Sequence, residues 1–281
     1  MAVVSPAAIN FFVNGCAEGI LRHPREINQR MNDYMTQTQF KQIAAYYDDL
    51  MAGVPYNLWV NYIEDILSRI EYRPKSVLDA ACGTGNVSEI LVDRGYKVVG
   101  ADIAPDMIEV ARSKPSGIEY FVQDMAELDL DGRKFDLAIS LFDSLNYITD
   151  PSHLAHAIKR VGEHLVDGGV FIFDVNTEYA LAHHFFDQAN IASNHYPHYV
   201  WNSIYDHAGR ICTVNMTFEV MENGEKRQFK EVHIQRAHSL EELSMMLSDA
   251  GFDVIDIFHA YKFRKPTRRS DRVFYVARRV R

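Results

Sequence analysis

Five short apolar runs dominate the middle of the chain: Ser76 to Ala80, Lys97 to Ala101, Glu119 to Val122, Phe135 to Leu141 and Val170 to Val175. Helical patterns separate them at about 86–94, 105–113 and 151–166. Strands that are almost continuously apolar, with a helix between each pair, have to be buried on both faces. That forces a mostly parallel sheet covered by helices on either side, a doubly wound α/β fold. In such a fold ligands bind beyond the carboxyl ends of the strands. Residues at those ends are therefore the first candidates for function. Gly168-Gly169 reads as a turn leading into the fifth strand.

The flanking regions follow other rhythms. Ser5-Pro6 is a plausible helix start, and Pro24 could open another helix toward Tyr34. Residues 38–51 are helical in pattern. Leu58, Trp59, Tyr62, Ile63, Ile66, Leu67 and Ile70 recur at three- and four-residue spacing and give the next helix one apolar face. Beyond the five runs, His198 to Tyr205, Ile211 to Met221 and Phe229 to Ala237 read as strands, with Asn223-Gly224 a favoured hairpin pair. Ser239-Leu240-Glu241-Glu242 has the form of a capping box opening a helix to Gly251. Strands at about 252–262 and 272–280 then complete a seven-stranded sheet. The expected organisation is an N-terminal helical extension (1–37), a main domain (38–196 and 238–281) and an antiparallel lid (197–237).

Composition excludes several classes. The chain of 281 residues has 29 Lys and Arg against 38 Asp and Glu, a formal charge of −9. That balance argues against sequence-independent nucleic-acid binding, which needs clustered cations, and against anionic membranes. The basic stretch at Arg264, Lys265, Arg268, Arg269 and Arg278 to Arg281 is the local exception and reads as a solvated edge. No apolar stretch reaches the roughly 18–20 residues of a membrane helix, and the apolar start lacks the preceding cations of a signal segment. Cys16, Cys82 and Cys212 fit neither a disulfide framework nor a zinc pattern, so a cytoplasmic protein is expected. His153/His156, His183/His184 and His195/His198 are close in sequence, but no Cys or acid completes a metal ligand set.

The first run leads into Asp79-Ala80-Ala81-Cys82-Gly83-Thr84-Gly85-Asn86. Asp79 ends the first strand; Asp102 ends the second, 23 positions on (102 − 79); Asp124 ends the third in Gln123-Asp124-Met125. Three acids thus converge on the ligand edge beside a glycine turn that lets a ligand approach backbone. A dinucleotide site fits less well. Gly83-x-Gly85-x-x-Ser88 lacks the third glycine, and Asp79 would oppose a diphosphate.

With DAACGTGN, GADIAPDMIEVAR, QDM, FDLAISLFDSLNYI and GGVFIFDVN in this order, residues 76–175 resemble the class I S-adenosylmethionine-dependent methyltransferases. Tyr47-Asp48 through Tyr56 and Trp59, and Glu231-Val232-His233 through Arg236, resemble the small-molecule branch with a hairpin lid. The resemblance covers roughly residues 40–281. It implies S-adenosylmethionine as cofactor and S-adenosylhomocysteine as product. It places Gly83 and Gly85 beneath the amino-acid part and ribose, with Ala81 in the same turn. Asp79 would face the ammonium, Asp102 the ribose hydroxyls, Ile103 and Met107 the adenine face, and Asp124 and Met125 the adenine edge. Leu141 would lie beside the sulfur, and Tyr47 is a cofactor-lid candidate.

In-line displacement from a sulfonium draws much of its rate from positioning, and a base is needed chiefly for a hydroxyl or protonated amine. His233 is the first base candidate, because Glu231, His233 and Gln235 share one strand face. Asp143 is the second. Phe142, Asn146, Asn176, Glu231 and Arg236 are candidates for the acceptor. Trp59 is expected to pack in the core. An aromatic lid (Tyr196, Tyr199, Trp201, Tyr205, Phe218, Phe229) suits a closed pocket and a small-molecule acceptor, methylated at N or O. A protein or RNA acceptor, or a cofactor-binding module without turnover, are the alternatives. The first 35 residues, outside the resemblance, are candidates for pairing the chain into a homodimer.

Overall fold

The computed structural model describes residues 39–280. The two helices expected within the first 38 residues, and any pairing role for that segment, lie outside the described residues. Seven strands form one sheet: β1 (Ser76–Ala80), β2 (Lys97–Asp102), β3 (Glu119–Val122), β4 (Phe135–Ser140), β5 (Leu165–Asn176), β10 (Phe252–His259) and β11 (Arg272–Arg279). Their order is β10-β11-β5-β4-β1-β2-β3. β1 to β5 pair in parallel, whereas β11 runs antiparallel to both β5 and β10. Chain order reverses between β1 and β4, the point where doubly wound sheets open a ligand crevice.

Burial explains why these segments read as unbroken apolar runs. Along β5, Phe171 and Phe173 enter one core while Val170 and Ile172 enter the other. Along β11, Tyr275 and Phe274 divide in the same way. Side chains alternate across the sheet, and both faces are dry. Helices α5 (Pro151–Glu163) and α7 (Leu240–Asp249) cover the first face with Leu154, Ile158 and Leu243. Helices α2 (Tyr56–Arg69) and α3 (Asn86–Asp93) cover the second with Val60, Ile63, Ile66 and Leu91. Leu58, counted on the apolar face of α2, is instead 61% exposed. The capping box of α7 forms as expected, with Ser239 Oγ accepting from Glu242 N–H and the Glu242 carboxylate accepting from Ser239 N–H.

A second sheet, β6-β7-β8-β9, is antiparallel throughout. Its strands are β6 (Gln188–Ala189), β7 (His198–Asp206), β8 (Ile211–Glu222) and β9 (Glu225–Arg236). Asn223 and Gly224 turn β8 into β9 with φ of 53° and 83°, the left-handed pair a two-residue hairpin requires. β9 therefore starts at Glu225, earlier than the apolar pattern from Phe229 suggests, because exposed Lys and Arg fill its first turns of pairing. The two-residue β6 carries no apolar pattern and is not legible in the sequence.

Two further expectations are corrected. Gly168-Gly169 lies within β5, where pairing steps from Phe135↔Leu165 to Leu137↔Val170, so the glycines form a bulge instead of ending a loop. Residues 38–51 are not one helix. Within the described part, Gln39–Ile43 turns, Ala44–Tyr46 is one 3-10 turn, and α1 spans only Tyr47–Leu50. The physical reason is a competing acceptor. The Glu231 carboxylate on β9 takes the N–H groups of Phe40, Gln42 and Ile43 at 3.1, 2.8 and 3.0 Å. Phe40 turns left-handed, φ 61°, to bring them there.

Candidate active site

β1 ends in a backbone hook. Ala81 has φ 66° and Gly83 has φ 55°, and the N–H groups of Ala81 and Cys82 both donate to the Ala101 carbonyl at the tip of β2. Asp102 completes the join. Its Oδ2 accepts from Gly83 N–H and its Oδ1 from Ala104 N–H, each at 2.8 Å. One carboxylate thus fixes both strand tips and keeps a second lone pair on each oxygen for a ligand. Burial raises its carboxyl above the ordinary aspartate value, opposed by these N–H groups. Asp79 is 3% exposed, with Oδ2 accepting from Ser88 Oγ at 2.6 Å. Burial pushes it up to about 7, the Ser88 hydrogen bond working against that and Asp102 adding to it. Such a carboxyl is poised to ionise when a cation arrives.

Asp124 does two jobs. Oδ1 caps the 3-10 turn Met125–Glu127 by accepting from Ala126 N–H at 2.8 Å, and Oδ2 lies 3.0 Å from His153 Nε2 on α5.

The N-terminal segment closes over this edge. Asp48 on α1 accepts from Thr84 Oγ1 at 2.6 Å and from Asn86 Nδ2 at 2.9 Å, and pairs with Lys114 Nζ at 2.9 Å. Phe142 follows β4 with φ 68° and packs with tilted rings against Trp59 and Tyr56, centroids 3.9 and 5.6 Å away. Trp59 is half-buried and meets this aromatic wall as well as Tyr261, so its packing is against the site's edge.

A cavity of about 760 Å³ results, walled by the strand tips, the 39–56 segment and the second sheet. Its charged lining among the described residues is five aspartates (79, 102, 124, 143, 150) and one arginine, Arg272. That set suits a cationic ligand with hydroxyl and amino groups, and is wrong for a diphosphate.

Comparison with known proteins agrees. A family model described as "Methyltransferase domain" matches residues 77–169. A putative methyltransferase of Bacillus subtilis, YqeM, is 30% identical over 243 residues, spanning 85% of this chain and 97% of that protein. A crystal structure of an S-adenosylmethionine-dependent methyltransferase from Clostridium acetobutylicum superposes with a TM-score of 0.74 at 28% identity, covering 85% of this chain and 98% of that one. The chain belongs to the class I S-adenosylmethionine-dependent methyltransferases.

The donor set of this methyltransferase fits the cofactor. Asp79 and the aspartate-rich lining favour a ligand bearing ammonium and sulfonium charge, and Asp102 retains acceptor capacity for hydroxyls. S-adenosylmethionine supplies an activated methyl group on a positively charged sulfur. Of the residues the sequence singled out for it, Tyr47, Asp79, Ala81, Gly83, Asp102, Ile103, Met107, Asp124, Met125 and Leu141 all line the cavity. Ile103 is 44% exposed at its rim, whereas Met107 is buried. Gly85 is different. It is not among the lining residues, and a Cβ there would sit 2.3 Å from the Tyr120 hydroxyl, so close packing of the strand β3 tyrosine demands the glycine.

The acceptor-side expectations change more. Phe142 lines the cavity, but Asn146, Asn176, Glu231 and Arg236 are not among the described lining residues. Asn146 donates to the Asn176 and Arg236 carbonyls and accepts from Asn176 N–H, tying the two sheets together. Asn176 donates to Gln235 Oε1 at 3.3 Å. Arg236 reaches the Gly209 carbonyl and Glu242. Glu231 is spent on the 40–43 backbone and His233. Asp143 lines the cavity, yet both its oxygens are engaged. Oδ1 pairs with Arg272 Nη2 at 2.6 Å and Oδ2 accepts from Gln235 at 2.5 Å. Burial raises its carboxyl, with Arg272 opposing. An aspartate clamped this way is a poor base. His233 also lines the cavity, but neither ring nitrogen is open: Nδ1 lies 3.1 Å from Tyr147 Oη and Nε2 2.8 Å from Glu231 Oε2.

Sequence reasoning missed Asp48, Thr84, Asn86, Tyr147, His153 and Arg272. Asp48, Thr84, Asn86 and Tyr147 lie within the segments that carry the resemblance, and His153 in a histidine pair weighed for a metal, whereas Arg272 carried no signal. Their partners lie on distant elements.

Proposed function

We propose that the enzyme methylates an N or O atom of a small-molecule acceptor. The observation that carries this reading is the size and aromatic lining of the acceptor half. Tyr199, Trp201 and Phe218 of the second sheet face the strand tips across the cavity, and its volume of about 760 Å³ falls within the roughly 300–1,000 Å³ usual for small-ligand pockets. A segment of folded protein or RNA needs an open trench, and the −9 formal charge opposes RNA.

Two partial relatives support the class of acceptor. A dTDP-3-amino-3,4,6-trideoxy-α-D-glucopyranose N,N-dimethyltransferase of Streptomyces venezuelae is 30% identical over 122 residues, covering 43% of this chain and 51% of that protein. A ubiquinone biosynthesis O-methyltransferase of Coxiella burnetii is 32% identical over 118 residues, covering 41% and 47%. Among the described residues no helix is long and apolar enough to cross a membrane. Cys82 and Cys212 are free thiols, in keeping with the proposed cytoplasmic setting.

The chain's own groups then divide the work. The carboxylates at the tips of β1 and β2 hold the cofactor's charge and hydroxyls. Phe142, Tyr56 and Trp59 exclude water from one side. The second sheet orients the acceptor, so that transfer gains chiefly from positioning. Measuring S-adenosylhomocysteine release with 3-amino-3-deoxyglucose, catechol, a basic peptide and tRNA tests the reading. Turnover is expected with a small amine or hydroxyl compound. Turnover confined to the peptide or tRNA would overturn it.

A further inference from the structure

Strand β9 turns three polar side chains into the protein: Glu231, His233 and Gln235 are 5%, 2% and 1% exposed. Buried polar groups need complete partnerships, and here the partnerships fix proton positions. The Glu231 carboxylate accepts three backbone N–H groups, from Phe40, Gln42 and Ile43. A carboxylate in that setting is an acceptor only. His233 Nε2, 2.8 Å from Oε2, must therefore be the donor and carry the hydrogen. In the neutral ring this leaves Nδ1 bare, and Tyr147 Oη stands 3.1 Å from it. The phenol's hydrogen points at Nδ1. The Gln235 side chain hydrogen-bonds the same oxygen, which leaves it one lone pair for the cavity that Tyr147 and His233 both line. Phe40 packs edge-on against the imidazole, centroids 4.4 Å apart, and holds the ring in place.

We propose that Tyr147 is the catalytic residue that meets the acceptor atom, with His233 behind it as proton store and Glu231 as positioning residue. This rests on the small-molecule reading and narrows it. The acceptor atom must bring a hydrogen, so amines with an N–H and hydroxyls qualify, whereas tertiary amines and thioethers do not. The balance is as follows. The acceptor's X–H bond breaks and its proton goes to the Tyr147 oxygen. The original phenolic proton passes to His233 Nδ1, and the imidazolium is held by Glu231. A lone pair on X forms the new X–C bond, the pair of the broken X–H bond stays on X, and the pair of the broken C–S bond stays on sulfur. Nothing is oxidised or reduced.

Around this chain the titratable groups are few. Asp143 and Tyr147 come from the loop after β4, Tyr47 from α1, Cys212 from β8 and Glu231 from β9 itself. Asp143 is clamped by Arg272 and Gln235, so of these groups the tyrosine–histidine pair is the one arranged to take a proton from the cavity.

The test uses the full chain, labelled with ¹⁵N-histidine and saturated with S-adenosylhomocysteine. The His233 signals, assigned by their loss in His233→Asn, should show hydrogen on Nε2 and a hydrogen-bonded bare Nδ1 at pH 8. Tyr147→Phe should shift Nδ1 to the position of an unbonded nitrogen. A hydrogen on Nδ1, or an Nδ1 signal indifferent to Tyr147→Phe, would overturn the proposal whether or not an acceptor is known. With 3-amino-3-deoxyglucose or catechol, whichever turns over, Tyr147→Phe should lower kcat roughly 100-fold and leave KM within about threefold. Glu231→Gln should lower the plateau and carry the acid limb of the rate profile to lower pH. An unchanged kcat in Tyr147→Phe, or an unmoved limb in Glu231→Gln, also overturns it. If only peptide or tRNA is methylated, the small-molecule reading falls, and the nitrogen signals alone decide the relay.

Discussion

The Asp48 carboxylate lies 2.6 Å from Thr84 Oγ1, so the short helix α1 is bonded directly to the glycine-rich turn after β1. Asn86 and Lys114 converge on the same side chain. Burial alone would raise this carboxyl, but hydrogen bonds from Thr84, Lys114 and Asn86 outweigh it and hold it below the ordinary value. Asp48→Ala should therefore weaken cofactor binding about 10-fold by calorimetry, the loss of roughly 1–2 kcal/mol of partly exposed, charge-assisted bonds. A depressed carboxyl contributes above its unfolded value and is lost as pH falls through the folded one. The unsubstituted protein should lose this increment of affinity below about pH 4.

Asp79 has the opposite sign. Its carboxyl, raised to about 7 by burial, makes the ligand-free fold less stable as pH climbs from about 4 to 7. Asp79→Asn should stabilise the ligand-free protein by up to a few kcal/mol at pH 8 and by little at pH 4, read from urea melts. The same substitution should weaken S-adenosylmethionine binding. Binding near pH 6.5 should release a fraction of one proton in the parent and none in the variant, measured by calorimetry in buffers of different ionisation enthalpy.

The two glycines of the turn should separate by mechanism. At Gly83 a Cβ meets only Met107 Cε, at 3.6 Å, so Gly83→Ala bears mainly the left-handed strain of about 1 kcal/mol. At Gly85 the Cβ would fall 2.3 Å from the Tyr120 hydroxyl and 2.9 Å from its ring. Gly85→Ala should cost about 3 kcal/mol or more, and Tyr120→Phe should return part of it. Thermal melts of the three variants and the double variant decide this. Equal losses at both glycines would contradict the packing argument.

Arg272 sits between two buried acids, bonded to Asp143 and to Asp174. Arg272→Met leaves both carboxylates without their cation and should destabilise the fold by about 3–5 kcal/mol at pH 8. Burial already raises the Asp143 carboxyl, and Arg272 is what opposes it. Without the guanidinium that carboxyl takes up a proton more readily, so the deficit should narrow toward pH 5. Urea midpoints at the two values check the sign.

The parts of the fold that follow from periodicity and local turn chemistry were legible: the five parallel strands, the Asn223-Gly224 hairpin and the Ser239 capping box. So was the convergence of Asp79, Asp102 and Asp124 on one cavity, because strand-tip positions follow from chain order. The acceptor side was not. Glu231, His233 and Gln235 do share one face, as alternation requires, but alternation cannot say what lies opposite. Glu231 meets residues 188–191 positions away in the chain, and Arg272 sits within a stretch whose charge reads as solvated. Burial of a charge depends on partners brought in by topology, and a single sequence window holds none of them.

The tie between Glu231 and the backbone of Phe40, Gln42 and Ile43 has a consequence for synthesis. On the ribosome, the first of these residues emerge long before the strand that fastens them. This tie over the crevice can thus form only when about four-fifths of the polypeptide has been made. A truncated product ending in β8 would retain the strand-tip carboxylates and the Asp48 bonds to the glycine turn, but would lack the Glu231 fastening above them.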